Sequence, residues 1–130
     1  MSPLVSGECL CDEIYFAFEI SSVLDAYYCS CRDCQKLTGN VRPSYVVVPN
    51  ENFYLLEGSL SMYKLSSDHG EEFIVGFCEN CNQNIVGYYA SNKSTKLVPM
   101  EILGDTTGIK VKAERWTNHP CNWSRATAKW

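Results

Sequence analysis

The sequence lacks three features, and each absence excludes a class of protein. Lys and Arg number 11 against 15 Asp and Glu, a formal net charge of −4, so the chain has no basic footprint for nucleic acid. No apolar run approaches the length of a membrane span. The first residues have neither the basic n-region nor the apolar h-region of a secretory signal. We therefore expect a cytoplasmic protein that binds neither nucleic acid nor membrane.

Helical stripes and low-complexity linkers are also missing, so we expect a mostly β fold. With 130 residues, the chain has the size of one ordinary domain, and we predict a single domain over 1–130. Apolar residues alternate with other residues over 14–20, the period of a half-buried strand. Further short runs rich in β-branched or aromatic residues predict strands at 23–28, 44–48, 60–65, 73–77, 85–90, 96–103 and 109–113. Residues 34–37, closed by Thr38 and Gly39, are compatible with one helical turn.

Cysteine is the residue type that this chain has in excess. Its eight cysteines are about 6% of the residues, below the density of small disulfide scaffolds. Most of them fall in C-x-C or C-x-x-C pairs, and in a reducing cytosol such pairs are more often metal-binding or catalytic than bridged. Metal binding is therefore the better interpretation.

Spacing alone leaves the grouping of these cysteines open, and three partitions compete. In the first, four cysteines close a structural zinc site, and three others hold a second zinc with one open position, as catalytic zinc sites do. These two sets are Cys9, Cys11, Cys78 and Cys81, and Cys29, Cys31 and Cys34. In the second, Cys31 and Cys34 combine with Cys78 and Cys81 in a zinc ribbon. In the third, Cys121 joins the three-cysteine set and closes it.

The order of the cysteine motifs resembles a known family. G-x-C-x-C occurs at 7–11, C-x-C-x-x-C at 29–34 with Lys36 and Gly39 after it, and F-C-x-x-C at 77–81. This series resembles the glutathione-dependent formaldehyde-activating (Gfa) family, whose CENP-V/GFA-type domain has an Mss4-like fold. The resemblance extends from Gly7 to about Trp116. It implies a complex β fold of short antiparallel strands stapled by zinc.

The resemblance also implies a ligand set, a reaction and its substrates. It implies the first partition, with one structural zinc and one catalytic-type zinc per chain. The implied enzyme is a zinc-dependent carbon–sulfur lyase resembling S-(hydroxymethyl)glutathione synthase, which adds glutathione or a related thiol to formaldehyde or a related aldehyde. The cysteines of the open site would be ligands of the catalytic-type zinc and not nucleophiles. The alternative is a non-catalytic, zinc-stabilised protein-binding module of Mss4-like fold.

Some positions depart from the family pattern or could add to the site. The pattern usually has His where this chain has Ser30, and Gly where it has Asp12 and Asn82. Ser30 could donate a hydrogen bond to a sulfur ligand, although a turn hydroxyl that satisfies nearby backbone is the more common case.

Two basic residues flank the open site in sequence. Arg32 and Lys36 would suit the carboxylates of glutathione, although exposed Arg and Lys are mostly solvated surface. His119 is a candidate proton donor, and His119 or Cys121 could supply a further ligand.

Overall fold

A computed structural model describes residues 3–40, 42–66, 70–111 and 113–115. It contains ten strands, one α-helix and three short 3₁₀ turns in this part of the chain. The helix α1 is Arg32–Thr38. The strands are β1 Leu4–Glu8, β2 Tyr15–Glu19, β3 Asp25–Cys29, β4 Ser44–Pro49, β5 Phe53–Glu57, β6 Ser61–Ser66, β7 Glu72–Phe77, β8 Asn84–Tyr89, β9 Asn92–Pro99 and β10 Ala113–Arg115. The mostly β prediction is confirmed.

The strands form two sheets. One has three strands in the order β1-β2-β5, and the other has seven in the order β10-β3-β4-β9-β8-β7-β6. All neighbours are antiparallel except β10 and β3, which are parallel. Arg42 contacts both strands of this parallel pair. It forms an ion pair with Glu114 of β10, and its Cζ lies 4.1 Å from the ring centre of Tyr28 on β3.

The main core lies between the two sheets. Phe16 and Phe18 of β2 are fully buried and belong to one cluster with Val46 of β4 and Val98 of β9. Burial of side chains this large removes a substantial apolar area from water, about 1.5–3 kcal/mol for each. The alternation over 14–20 therefore reflects one face of β2 packed against the seven-stranded sheet.

A second, smaller core lies on the other face of the seven-stranded sheet. Tyr27, Tyr45 and Leu97 form this cluster with Cys29 and Cys31. Their strand neighbours, such as Val46 beside Tyr45 and Val98 beside Leu97, belong to the main core. Successive side chains of a strand point to opposite faces, so β3, β4 and β9 each supply both cores. This second face carries the three-cysteine group described below.

Several predicted elements differ from the structure. Strands β1 and β5 were absent from the prediction: β1 contains Ser6, Gly7 and Glu8, which are weak strand formers, and β5 is an edge strand with four exposed residues. The strand predicted over 96–103 ends at Pro99, which has no N–H for the ladder, and a 3₁₀ turn, Met100–Ile102, follows. Among the described residues of 109–113, which are 109–111 and 113, residue 113 alone is in a strand.

The single helical turn predicted at 34–37 is a longer element, α1. The Cys31 sulfur caps its N-terminus by accepting from the Cys34 N–H, and Gly39 ends it with φ of 70°, a left-handed conformation that glycine adopts without steric cost. No helix among the described residues is long and apolar enough to cross a membrane.

Candidate metal centres

Four cysteines from two distant loops meet at one point. The sulfur atoms of Cys9, Cys11, Cys78 and Cys81 all lie within 4.8 Å of one another. Those of Cys9 and Cys11 are 3.5 Å apart, and those of Cys11 and Cys78 are 3.6 Å apart. A disulfide would bring two sulfurs to about 2.05 Å. Four thiolates around one zinc at about 2.3 Å lie about 3.8 Å apart, so the observed spacing fits a tetrahedral metal.

Two short loops hold these four sulfurs. The first joins β1 to β2, where the Cys9 N–H donates to the Ile14 carbonyl and the Ile14 N–H donates to the Cys9 sulfur over 3.3 Å. The second joins β7 to β8, where the Cys78 N–H donates to the Gln83 carbonyl over 2.9 Å. Each loop is therefore shaped by its own backbone before the two meet.

The departures from the family pattern in these loops have a backbone explanation. Asp12 has φ of 67° and Asn82 has φ of 63°, and no other non-glycine residue of the described chain has positive φ. Each follows the second cysteine of its loop. The left-handed region favours glycine and, among other residues, Asn and Asp. Asp12 and Asn82 thus adopt a backbone conformation that also suits the glycine of the family pattern.

The other three described cysteines form a separate group. Cys29 ends β3, Cys31 caps α1 and Cys34 lies in its first turn. Their sulfurs lie within 4.8 Å of one another, with those of Cys29 and Cys34 3.2 Å apart. The Cys34 N–H donates to the Cys31 sulfur over 3.3 Å. One strand end and one helix start therefore bring three sulfurs together within a short stretch of chain.

The pKa values of the cysteine thiols differ between the two groups. A hydrogen bond with Cys31 is the largest cause that raises the pKa of the Cys29 thiol to about 11. Hydrogen bonds with Cys29 and Cys31 likewise raise the pKa of Cys34. In the four-cysteine group, burial raises the pKa of Cys81, but backbone N–H groups of Gln83 and Cys11 outweigh it and bring the pKa to about 6. In the same group a backbone hydrogen bond with Cys81 lowers the pKa of Cys78, but burial and side-chain hydrogen bonds raise it to about 11. A cation is therefore needed to hold thiolates in both groups, and the three-cysteine group has more of the raised thiols.

A narrow apolar pocket adjoins the three-cysteine group. Its described lining comprises Tyr27, Cys29, Cys31, Asp33, Cys34, Leu37, Tyr45, Leu65, Phe73, Tyr89 and Leu97. The cavity has a volume of about 20 Å³, enough for about one water molecule. Burial raises the pKa of Tyr45, which also forms a hydrogen bond with the Cys34 side chain. Its hydroxyl therefore lies beside the sulfur of a candidate ligand.

The remaining candidate residues differ in burial, and two of them lie outside the described part of the chain. Arg32 and Lys36 are exposed on α1, and neither is among the described residues of the pocket lining. Ser30 is buried, beside the sulfurs in sequence. Two further candidates, His119 and Cys121, lie outside the described residues, as do His69 and the three tryptophans.

The grouping of the seven described sulfurs is the one that the first and third partitions share, and the ribbon of the second partition is not found among them. The first and third partitions differ in Cys121, which lies outside the described residues. Two cysteine groups could each hold a metal ion, and their all-sulfur donor sets are consistent with zinc. The individual ligand roles stay a prediction.

Sequence reasoning missed Tyr45 and Phe73. Tyr45 and Val46 were both assigned to one predicted strand, and the alternation of that strand puts Tyr45 on the face that bears the cysteines. The partner strands across which the pocket is built were not known from the sequence.

Comparisons with known proteins agree with the motifs. A crystal structure of a Rhodobacter sphaeroides protein matches with a TM-score of 0.60 at 20% identity, covering 84% of this chain and 98% of that chain; at this identity the likeness concerns the fold. No curated protein matches the sequence. The family model described as glutathione-dependent formaldehyde-activating enzyme matches residues 4–119. On that match, the chain belongs to the glutathione-dependent formaldehyde-activating enzyme family.

Proposed function

We propose that this protein is a zinc-dependent carbon–sulfur lyase that adds a thiol such as glutathione to formaldehyde or a related aldehyde. One observation carries the proposal: the described cysteines separate into a group of four and a group of three. A zinc ion in the group of four would have a full set of protein ligands. In the group of three, one position would be left for a substrate, as in catalytic zinc sites.

In the proposed addition of a thiol to an aldehyde, the main role of the protein is to position the reactants. A zinc ion bound by Cys29, Cys31 and Cys34 would lower the pKa of a substrate thiol at its fourth position, so that the nucleophilic thiolate is present at neutral pH. The thiolate sulfur then forms a bond to the aldehyde carbon. The carbonyl π bond breaks, and the oxygen takes one proton, which balances the one that the thiol released, and becomes a hydroxyl. The reverse steps give the lyase direction.

The chain's own groups would prepare this site in two ways. The Cys34 N–H donates to the Cys31 sulfur, and the Tyr45 hydroxyl is hydrogen-bonded to the Cys34 side chain. Such donors orient metal ligands and reduce the charge on them. The apolar pocket wall keeps bulk water from the reacting atoms, and this strengthens electrostatic interactions there.

The four-cysteine group has a structural role in this proposal. Cys11 and Cys78 are 67 positions apart, and a metal between them would join the β1–β2 loop of one sheet to the β7–β8 loop of the other. Metal binding of this kind contributes directly to the free energy of folding. We propose the cytosol as the location, because paired cysteines persist as thiols or metal ligands in a reducing compartment.

The direct test is the rate of S-hydroxymethylglutathione formation from glutathione and formaldehyde, compared with the spontaneous reaction. We expect acceleration by the parent protein and none by Cys31→Ala, which should retain about one metal per chain where the parent retains two. Ser59→Ala, a matched small change at an exposed position between β5 and β6, should behave as the parent. A parent with both metals and no acceleration would refute the named substrate pair.

A second candidate function has one observation in its favour. Edge strands β5 and β6 expose large apolar side chains, among them Leu56 at 52%, Met62 at 58% and Tyr63 at 54%, a pattern typical of protein-binding surfaces. A non-catalytic binding module would use this surface and leave both metals inert. A substrate thiol that fails to alter the spectrum of the cobalt-substituted protein would favour this alternative.

A further inference from the structure

One wall of the three-cysteine pocket depends on a glycine. Phe73 of β7 lies against Gly87 of β8, where a Cβ would come within 2.4 Å of the Phe73 Cζ and 2.6 Å of its Cε2. Gly87 is not among the glycines of positive φ. Its backbone would therefore accept any residue, and the reason for glycine at this position is the space that the ring takes.

Strand register explains why the ring reaches the pocket. Phe73 pairs with Tyr89, and Gly87 pairs with Leu97 of the next strand. The Phe73 ring therefore extends diagonally from its own pair over Gly87, toward Leu97. It meets the Tyr89 ring edge-on, with centroids 4.9 Å apart at 65°. Phe73, Tyr89 and Leu97 all line the pocket, so these contacts set the position of its wall.

The pocket that results is small and mostly apolar. Its volume of about 20 Å³ leaves room for about one water-sized group. Asp33 lies in the described lining together with the cysteines and tyrosines, and that lining includes no Lys or Arg. A ligand that enters is therefore favoured when the part beside its reacting atom is small and uncharged. The charged ends of a larger thiol would stay outside the cavity.

We propose that Phe73, seated over Gly87, is the residue that sets the size of ligand reaching the three-cysteine centre. This inference rests on the proposed function, because it concerns the substrate position of that site. It restricts the thiol to an unbranched carbon next to sulfur and favours the smallest aldehydes. Phe73 is a specificity-determining residue in this view, and Gly87 positions it.

The first test measures ligand binding without turnover. The full-length protein is loaded with Co²⁺, and its sulfur-to-cobalt absorption is titrated with ethanethiol and with 2-methyl-2-propanethiol, which differ in bulk beside the sulfur. We expect the parent to prefer ethanethiol by at least about tenfold, the size of effect that added methyl groups have in a tight pocket. Phe73→Ala should reduce the preference to about twofold.

A matched control lies on the same strand. Ile74→Ala also truncates an apolar side chain of β7, but that side chain is on the opposite face of the sheet, and it should keep the parental preference. Phe73→Leu serves in place of Phe73→Ala if the latter does not retain cobalt, and it should give an intermediate preference.

A second test uses the glycine. The methyl group of Gly87→Ala would displace the Phe73 ring from its position against residue 87 and move it into the cavity. We expect ethanethiol binding to weaken about tenfold as a result. The double variant Gly87→Ala, Phe73→Ala should regain that binding. Gly104→Ala is the control, since its added Cβ would meet only the Ser6 carbonyl oxygen at 3.6 Å.

The outcomes separate this inference from the proposed function. Thiol binding to the parent with an unchanged preference in Phe73→Ala, or no recovery in the double variant, overturns the role of Phe73 and leaves the proposed function standing. No response to either thiol in the parent means that the fourth position is closed, which overturns both.

Discussion

The two cysteine groups occupy opposite faces of the seven-stranded sheet. Cys9 and Cys78 belong to the main core between the sheets, whereas Cys29 and Cys31 belong to the smaller cluster on the other face. The first group joins two distant loops, with Cys11 and Cys81 half-buried and with polar, open clefts beside Cys9 and Cys81. The second group comes from one short stretch of chain and adjoins the narrow apolar pocket. In the function that we propose, one donor type, the cysteine sulfur, serves stability in the first group and chemistry in the second, according to what surrounds it.

The largest expected effect concerns stability. Cys78→Ala removes a buried ligand at the junction of the two loops, and we expect it to lower the free energy of unfolding by more than about 3 kcal/mol. Cys31→Ala should lower it by less than half as much, because its group is assembled from one short stretch of chain. Thermal and denaturant unfolding of both variants, with metal content measured, checks this. Equal destabilisation would remove the distinction between the two groups.

The second expected effect is on the pH dependence of metal binding. With the pKa of Cys29 raised to about 11 and that of Cys34 raised as well, these thiols are protonated at pH 7 and must lose protons to bind metal. Affinity of the three-cysteine group should therefore rise with pH, by about tenfold per pH unit for each proton released.

The pKa of Cys78 in the four-cysteine group is raised to about 11, but that of Cys81 is about 6 and that of Cys9 is also lowered. With one raised thiol against two in the other group, the four-cysteine group should show a shallower slope above pH 6. Cys31→Ala leaves only the four-cysteine group intact, and Cys78→Ala leaves only the three-cysteine group intact. Competition with a chelator between pH 6.5 and 8.5 therefore measures the metal affinity of each group by itself in these variants. A steeper slope for the four-cysteine group would contradict the prediction.

A smaller effect should follow from removing one hydroxyl. Tyr45→Phe deletes the group that is hydrogen-bonded to the Cys34 side chain, and loss of such a partner typically weakens metal affinity about tenfold. The four-cysteine group should be unaffected. Chelator competition at constant pH measures both, with Tyr63→Phe, an exposed tyrosine on β6, as the control. Equal affinities in Tyr45→Phe and Tyr63→Phe would exclude this role.

The smallest effect concerns the loop backbone. Asn82→Ala places a residue with a poor fit at φ of 63°, and we expect a loss of about 1 kcal/mol in the free energy of unfolding. Asn82→Gly should be nearly neutral. The same pair of changes at Asp12 should give the same order. Denaturant unfolding measures all four variants, and an alanine variant as stable as its glycine counterpart would refute the strain argument.

Much of the local structure could be predicted from the sequence. Alternation over 14–20 identifies β2 because its apolar face is buried against one partner. Strand β5 could not be found in this way, since an exposed edge strand needs no alternation. The helix was predicted too short because its first turn is capped by the Cys31 sulfur, an unusual cap that residue preferences do not indicate.

The sequence by itself determined the candidate ligands, since C-x-C and C-x-x-C spacings bring two sulfurs together within one turn whatever the rest of the chain does. It left three groupings open, because loops 67 positions apart meet only through the packing of two sheets. The pocket was likewise decided by tertiary structure. Tyr45, Phe73, Gly87 and Leu97 lie on four different strands, and only strand order and register make them neighbours.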